Sequence, residues 1–237
     1  MLKRLLTFSI LTLALALAGC TDGPAKDQEK SPAKAKTPPS KELLDPSLAT
    51  EQAPDLYRAR LTTTKGDIVI EVDRSWSPRG ADRFYNLVKI GFFEDVAFFR
   101  VVKDFMVQFG IHGNPAVAKA WTTAPFADDR VLKSNRKGYV TFARTGMPNS
   151  RATQIFINYK DNPNLDPPAQ AGFSPFGKVV EGMDVVNALY GGYGEMKGMP
   201  QGDNGVDVAQ LMAQGNDYLS NQFPLLDRIV SAQIEKD

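Results

Sequence analysis

The sequence is short of the residues that most covalent and metal-dependent enzymes rely on. It contains one cysteine, Cys20, and one histidine, His112. A Cys/His zinc site and a disulfide therefore cannot form within one chain. A serine triad would have to use His112 as its base, and no G-x-S-x-G elbow accompanies it. Neither sign of charge is in excess, with 28 basic against 27 acidic side chains. That balance argues against a nucleic-acid partner and against long-range steering of a charged one. Gly191-Gly192-Tyr193-Gly194 lacks the G-x-G-x-x-G phosphate-loop spacing and follows no strand, so it reads as plain loop. Asp128-Asp129 beside Arg130 reads as a solvated turn, and His112, between Ile111 and Gly113, as a solvated loop histidine. No metal and no cofactor is expected. What remains is binding or catalysis by shape and hydrogen bonding.

Apolar runs long enough to cross a membrane are also missing. The run Leu5–Ala18, after Lys3 and Arg4, extends roughly 21 Å as a helix, short of a bilayer core of roughly 30 Å. A basic start, a short apolar centre and a small-residue end describe a secretory signal peptide over residues 1–19. Its end, Leu17-Ala18-Gly19-Cys20, resembles the bacterial lipobox, which implies lipidation of Cys20 and a membrane-anchored mature chain. The expected location is the exported bacterial cell envelope. In a Gram-negative cell, Thr21 after the cysteine implies the periplasmic side, at the outer membrane. From Cys20 to Pro54 there is no aromatic residue, and Pro24, Pro32, Pro38, Pro39, Pro46 and Pro54 interrupt any regular structure. Residues 20–54 are accordingly expected to be a disordered tether, with room for one brief helix in Ser40–Thr50.

The folded domain is expected over 55–237. Tyr57–Thr64 and Asp67–Asp73 alternate around Lys65-Gly66, a hairpin pattern. Ser77-Pro78 opens a helix that runs to about Ile90 and stops at Gly91. Residues 112–137 read as irregular. Further strands are expected at Tyr139–Arg144, Gln154–Asn158, Phe176–Val180 and Ile229–Ile234, and a short helix at Met183–Tyr190. Many strands with few helices and no βαβ alternation suggest an antiparallel barrel with capping helices.

One stretch stands out: Phe98-Phe99-Arg100-Val101-Val102-Lys103-Asp104-Phe105-Met106-Val107-Gln108-Phe109-Gly110. It reads as two strands, or one bent strand, closing on a glycine turn. An arginine among phenylalanines is costly to bury without a partner. A structural ion pair, a snorkelling side chain or a functional cation would each account for it.

The order of these residues resembles the F-x-R-x-x-x-x-F-M-x-Q-x-G motif of the cyclophilin family of peptidyl-prolyl isomerases. A second stretch, Phe142-Ala143-Arg144-Thr145-Gly146-Met147-Pro148-Asn149-Ser150 and then Thr153-Gln154-Ile155-Phe156-Ile157, is similar to the family's M-A-x-x-x-P-N-[ST]-x-x-S-Q-F-F-I. A third, Asn164-Leu165-Asp166 and then Phe176-Gly177-Lys178-Val179-Val180-Glu181-Gly182-Met183, resembles its x-L-D and F-G-K-V-x-x-G-M. The resemblance runs from about Tyr57 to Ile234. It implies a closed eight-stranded antiparallel β-barrel capped by two α-helices. It implies catalytic roles for Arg100, Gln108 and Phe105, and substrate binding by Met106, Ala143, Arg144, Gln154, Phe156, Leu165 and Phe173. Asn164 stands where many members have tryptophan or phenylalanine, Phe173 where others have histidine, and Met147 looks like an insertion. The implied partners are proline-containing unfolded or exported polypeptides, met by a monomer. A non-catalytic peptide-binding or chaperone module on the same barrel is the alternative.

Overall fold

The computed structural model describes residues 38–167 and 172–236. The signal-peptide stretch, Cys20 and the first part of the expected tether lie outside the described residues. The chain runs α1 (Lys41–Leu44), β1 (Leu56–Thr63), β2 (Gly66–Asp73), α2 (Pro78–Lys89), β3 (Val96–Ala97), β4 (Arg100–Val102), β5 (Met106–Phe109) and α3 (Pro115–Thr122). It continues through β6 (Tyr139–Phe142), β7 (Ile155–Asn158), β8 (Pro175–Glu181), α4 (Met183–Ala188), α5 (Val208–Gln214), α6 (Asn216–Gln222) and β9 (Arg228–Ile234).

Alternation sets the sheet. In β1 every second residue, Tyr57, Ala59, Leu61 and Thr63, is buried, and β1 pairs with β2 in register from Leu56↔Asp73 to Thr63↔Gly66. The strand order is β3-β9-β1-β2-β8-β6-β7-β5-β4, and the pairings are antiparallel. The two outermost strands, β3 and β4, are separated in the chain by only Phe98 and Phe99. The sheet therefore curls until both its ends lie on the single stretch Val96–Val102. The expected closed eight-stranded barrel is thus a curled ladder of nine segments. Among the described residues β3 pairs with β9 and β4 with β5, and no ladder bridges the gap.

Phe98 and Phe99 explain the gap. Phe98 points into the main core with Phe84, Phe93, Phe109, Phe142 and Phe176. Phe99 points away from it into a second cluster with Ala97, Ile111, Ala118, Val206, Leu211, Leu219, Phe223 and Leu226. That second core is built by α3, α5 and α6. Two capping helices were expected, and six α-helical segments are present among the described residues. The additional ones had weak signals: α5 and α6 span 7 residues each, too few to show a 3.6-residue period. α3 falls within 112–137, the stretch expected to be irregular; it starts at an Asn114 N-cap that accepts the Ala116 N–H, with Pro115 in the first turn, a signal that expectation passed over.

The domain also begins earlier than residue 55. Residues 38–54, expected to belong to the tether, lie against α2 and α3. The Asn86 amide exchanges hydrogen bonds with the Glu51 backbone, Asp82 accepts from the Ala53 N–H, and the Trp121 indole donates to the Leu43 carbonyl at 2.9 Å. Ala53 is buried beneath them. Proline content excluded long regular elements here, but it did not exclude an irregular segment held by side chains from elsewhere. The start of α2 is likewise held at long range. Ser77 makes no cap bond; Asp129 accepts from the Ser77 hydroxyl and the Gly80 N–H, so the Asp128-Asp129 pair is no solvated turn.

Candidate active site

The β4–β5 hairpin brings the unusual arginine and the amide together because they are direct cross-strand partners, Arg100↔Gln108. Partners opposite each other share a face. Val101, Val107 and Phe109 turn inward to the main core, so Arg100, Met106 and Gln108 must turn outward. Arg100 Nη1 donates to Gln108 Oε1 at 2.8 Å, and Gln108 Nε2 donates to Gln154 Oε1 at 2.8 Å. β7 adds the next row: Phe156 lies beside Gln108 and Asn158 beside Met106. The motif glycine has a steric reason. Gly110 has φ +104°, and a Cβ there would fall on the Thr153 carbonyl, whose own hydroxyl donates back to Gly110.

The turn of the hairpin presents Phe105. Its ring lies 5.9 Å from the Arg100 guanidinium, and its carbonyl accepts from Tyr159 N–H and Asn162 Nδ2. Facing it are Phe156 and Phe173, edge to face at 5.7 Å, with Phe173 N–H bonded to the Leu165 carbonyl. This rim is pinned from beneath by Asn135, which is fully buried. Its amide donates to Asp166 and to the Phe173 carbonyl, while Asp166 also accepts the Asn135 N–H and the Ser134 hydroxyl. Burial pushes the Asp166 pKa up, but these donors outweigh it and the carboxyl sits below its ordinary value. The aspartate of the third motif therefore serves the rim's shape.

Arg100, Phe105, Gln108, Phe156, Phe173 and Leu165 are thus linked by successive contacts, and Met106 shares the face of Arg100 and Gln108. Gln154, Ala143 and Arg144 lie along a neighbouring cavity of about 650 Å³ instead, which they share with Gln108, Ile111, His112 and Met212. The Ala143 N–H is already bonded to the Gln154 carbonyl, and Arg144 Nη2 donates to the Met147 carbonyl. His112 is not the solvated histidine expected. It packs against Phe92 at 5.3 Å and its Nδ1 accepts the Asn114 N–H. Burial pushes its pKa down to about 4.

Comparison with known proteins gives the family. The family model described as Cyclophilin type peptidyl-prolyl cis-trans isomerase/CLD matches residues 58–210. The chain is 35% identical to the peptidyl-prolyl cis-trans isomerase cyp18 of Streptomyces antibioticus over 55% of its own length and 81% of that protein. This chain belongs to the cyclophilin family. It is 34% identical to peptidyl-prolyl cis-trans isomerase B of Escherichia coli, across 59% of this chain and 87% of that protein. In fold it is similar to a Cryptosporidium parvum cyclophilin, with TM-score 0.55 and 20% identity, covering 77% of this chain and 99% of that one. A structure of that protein in the presence of the dipeptide Ala-Pro gives TM-score 0.53 at 20% identity, over 76% of this chain and 99% of that one.

Sequence reasoning did not find one residue that the structure places against Arg100. Glu195, from the glycine-rich stretch read as plain loop, accepts from Arg100 Nη2 at 2.8 Å. Nothing in the sequence connects two residues that far apart, and one acid among glycines carries no pattern.

Proposed function

We propose that this cyclophilin isomerises X-Pro bonds in exported polypeptides, with Arg100 as the group that favours the twisted amide. The observation that carries the reading is the Arg100–Gln108 pair, held at 2.8 Å on a face lined by Phe105, Met106 and Phe156. Rotation about an X-Pro bond meets a barrier of about 20 kcal/mol, most of it lost amide resonance. In the twisted state the proline nitrogen regains a lone pair and accepts a hydrogen bond that the planar isomers do not. A fixed donor aimed at that nitrogen binds the twisted state better than either ground state, which is the condition for catalysis. Arginine keeps its proton and holds its donors in a rigid plane. In this reading Phe105, Met106, Phe156, Leu165 and Phe173 hold the ring. Gln108, Gln154 and the Ala143–Arg144 backbone grip the chain that precedes it. No proton moves and no bond is made or broken.

The test is a protease-coupled assay on a proline peptide, using the domain from residue 38. Arg100→Ala is expected to lower kcat/KM by about 10²–10³-fold while leaving the unfolding midpoint within about 2 °C. An unchanged rate would remove the reading. A variant that loses turnover but still suppresses aggregation of an unfolded client would reveal a separate chaperone activity.

Exported clients follow from the leader and lipobox around Leu17-Ala18-Gly19-Cys20, which support a lipid-anchored chain in the cell envelope. Among the described residues no helix is long and apolar enough to cross a membrane. Cys20→Ser is expected to abolish labelling with radioactive palmitate and to move the protein into the soluble fraction. Retention in the membrane fraction would argue for another anchor.

A further inference from the structure

Glu195 sits against the reacting group and has no part in the reading above. Its Oε2 accepts from Arg100 Nη2 at 2.8 Å, and its Oε1 lies 2.5 Å from Arg100 Nε. The Nε–H is not aligned on that oxygen, so the second contact is a close charge pair and the first is the hydrogen bond. Both side chains are mostly buried, at 12% and 15% exposure. The carboxylate is itself held: Oε1 accepts the Met196 N–H at 2.8 Å.

The backbone that carries Glu195 is fixed on three sides. The Gly194 carbonyl accepts the Val101 N–H from β4, next to Arg100 itself. The Lys197 N–H bonds the Val206 carbonyl, and Met196 packs into the second core. A Cβ on Gly205 would fall 1.6 Å from the Glu195 carbonyl oxygen, so the two strands of this loop are in contact there. Such a loop does not behave as a lid. It is a bracket.

A guanidinium carries five N–H hydrogens. Glu195 engages the Nε–Nη2 edge and Gln108 takes one hydrogen of Nη1, so a hydrogen on each Nη is left for a substrate. We propose that Glu195 is a positioning residue for Arg100, fixing the plane of the guanidinium so that its remaining hydrogens meet the proline nitrogen without reorganisation. An arginine held at one atom can still swing about its long stem. Held on two edges it cannot, and a donor displaced by 1 Å loses roughly 10²-fold in rate. The carboxylate also offsets the charge of a guanidinium placed beside apolar rings without removing the donors that do the work.

The proposal rests on Arg100 being the donor, and a double-mutant cycle separates the two claims. Glu195→Ala is expected to lower kcat by roughly 10–100-fold with KM changed less than about threefold, and Glu195→Gln, which still accepts from Nη2, by less. In an Arg100→Ala background the same changes are expected to have no further effect. The Arg100 Nε–H signal in NMR should be sharp in the wild type and broadened in both Glu195 variants, whose folding is checked by thermal unfolding. Should Glu195→Ala fail to fold, the near-isosteric Glu195→Gln carries the same comparison. Faster turnover in the Glu195 variants would make the carboxylate a restraint on the arginine and overturn the proposal. Equal losses in both backgrounds, or a loss confined to KM, would overturn it as well. If Arg100→Ala is inactive while Glu195 variants are unchanged, the positioning role alone falls. If Arg100→Ala is fully active, both readings fall.

Discussion

Two regions of the molecule hold the same arginine by different means. The β4–β5 hairpin holds it through a cross-strand neighbour, Gln108, eight residues away and fixed by register. The segment 190–226 holds it through Glu195, 95 residues away, on a loop that has no strand or helix of its own at that point. The hairpin is positioned by backbone hydrogen bonds and a period of two. The loop is positioned by the second core, through Met196, Tyr193, Leu219 and Phe223. Local pairing is legible in a chain. A bracket built on a satellite core is not.

The comparison can be broken or sharpened by experiment. Arg100→Ala removes the group both regions serve and should have the largest effect on catalysis, about 3–4 kcal/mol in barrier, with stability nearly unchanged. Leu219→Ala, at a fully buried site of the second core, is expected to cost about 3 kcal/mol of stability by denaturant unfolding and to lower kcat through the loosened loop. If kcat survives that loss, the bracket does not depend on the satellite core.

His112 shares a cavity with Gln108 of the hairpin and Met196 of the loop, packed on Phe92 of the main core and leading through Asn114 into α3. Its folded pKa is about 4, below the ordinary 6.5, because burial disfavours the charged ring. Between those values the unfolded chain binds the proton and the folded chain does not. Stability is therefore complete above about pH 6.5 and falls as the pH drops toward 4, by an amount on the order of 2 kcal/mol. Urea unfolding at pH 7 and pH 4.5 should show that loss in the wild type, and His112→Gln should reduce it. An equal loss in the variant would assign the acid sensitivity to carboxylates instead.

Smaller effects test the edges. Gly205→Ala places a methyl group 1.6 Å from the Glu195 carbonyl oxygen, so the loop backbone must move, and it is expected to lower kcat at least as far as Glu195→Ala, with KM little changed. Trp121→Phe removes the indole bond to the Leu43 carbonyl and should cost about 1 kcal/mol, freeing residues 38–50 to proteolysis before the barrel opens.

The candidate groove residues could be named in advance only through the family's motifs, whereas the strands that carry them answer to short-range rules of alternation and turn residues. The hairpin β1–β2, the start of α2 and strands β6 to β9 were found within a residue or two for the same reason. The misses share a different cause. Residues 38–54 were judged by composition, yet they are held by Asn86, Asp82 and Trp121, which belong to helices remote in sequence. Asp129 was judged by its neighbours Asp128 and Arg130, yet it caps α2 from fifty residues away.

By itself, then, the chain determined the antiparallel strands and the β1–β2 hairpin, which follow from periodicity and turn residues, while the candidate groove was named through motifs that resemble those of the cyclophilin family. Only the tertiary structure decided that Phe98 and Phe99 face different cores, that the barrel's two edges meet on one stretch, and that Arg100 carries a carboxylate on its flank. Each of those is a contact between segments far apart in sequence, and a side chain records its neighbours in the fold only once the fold has brought them together.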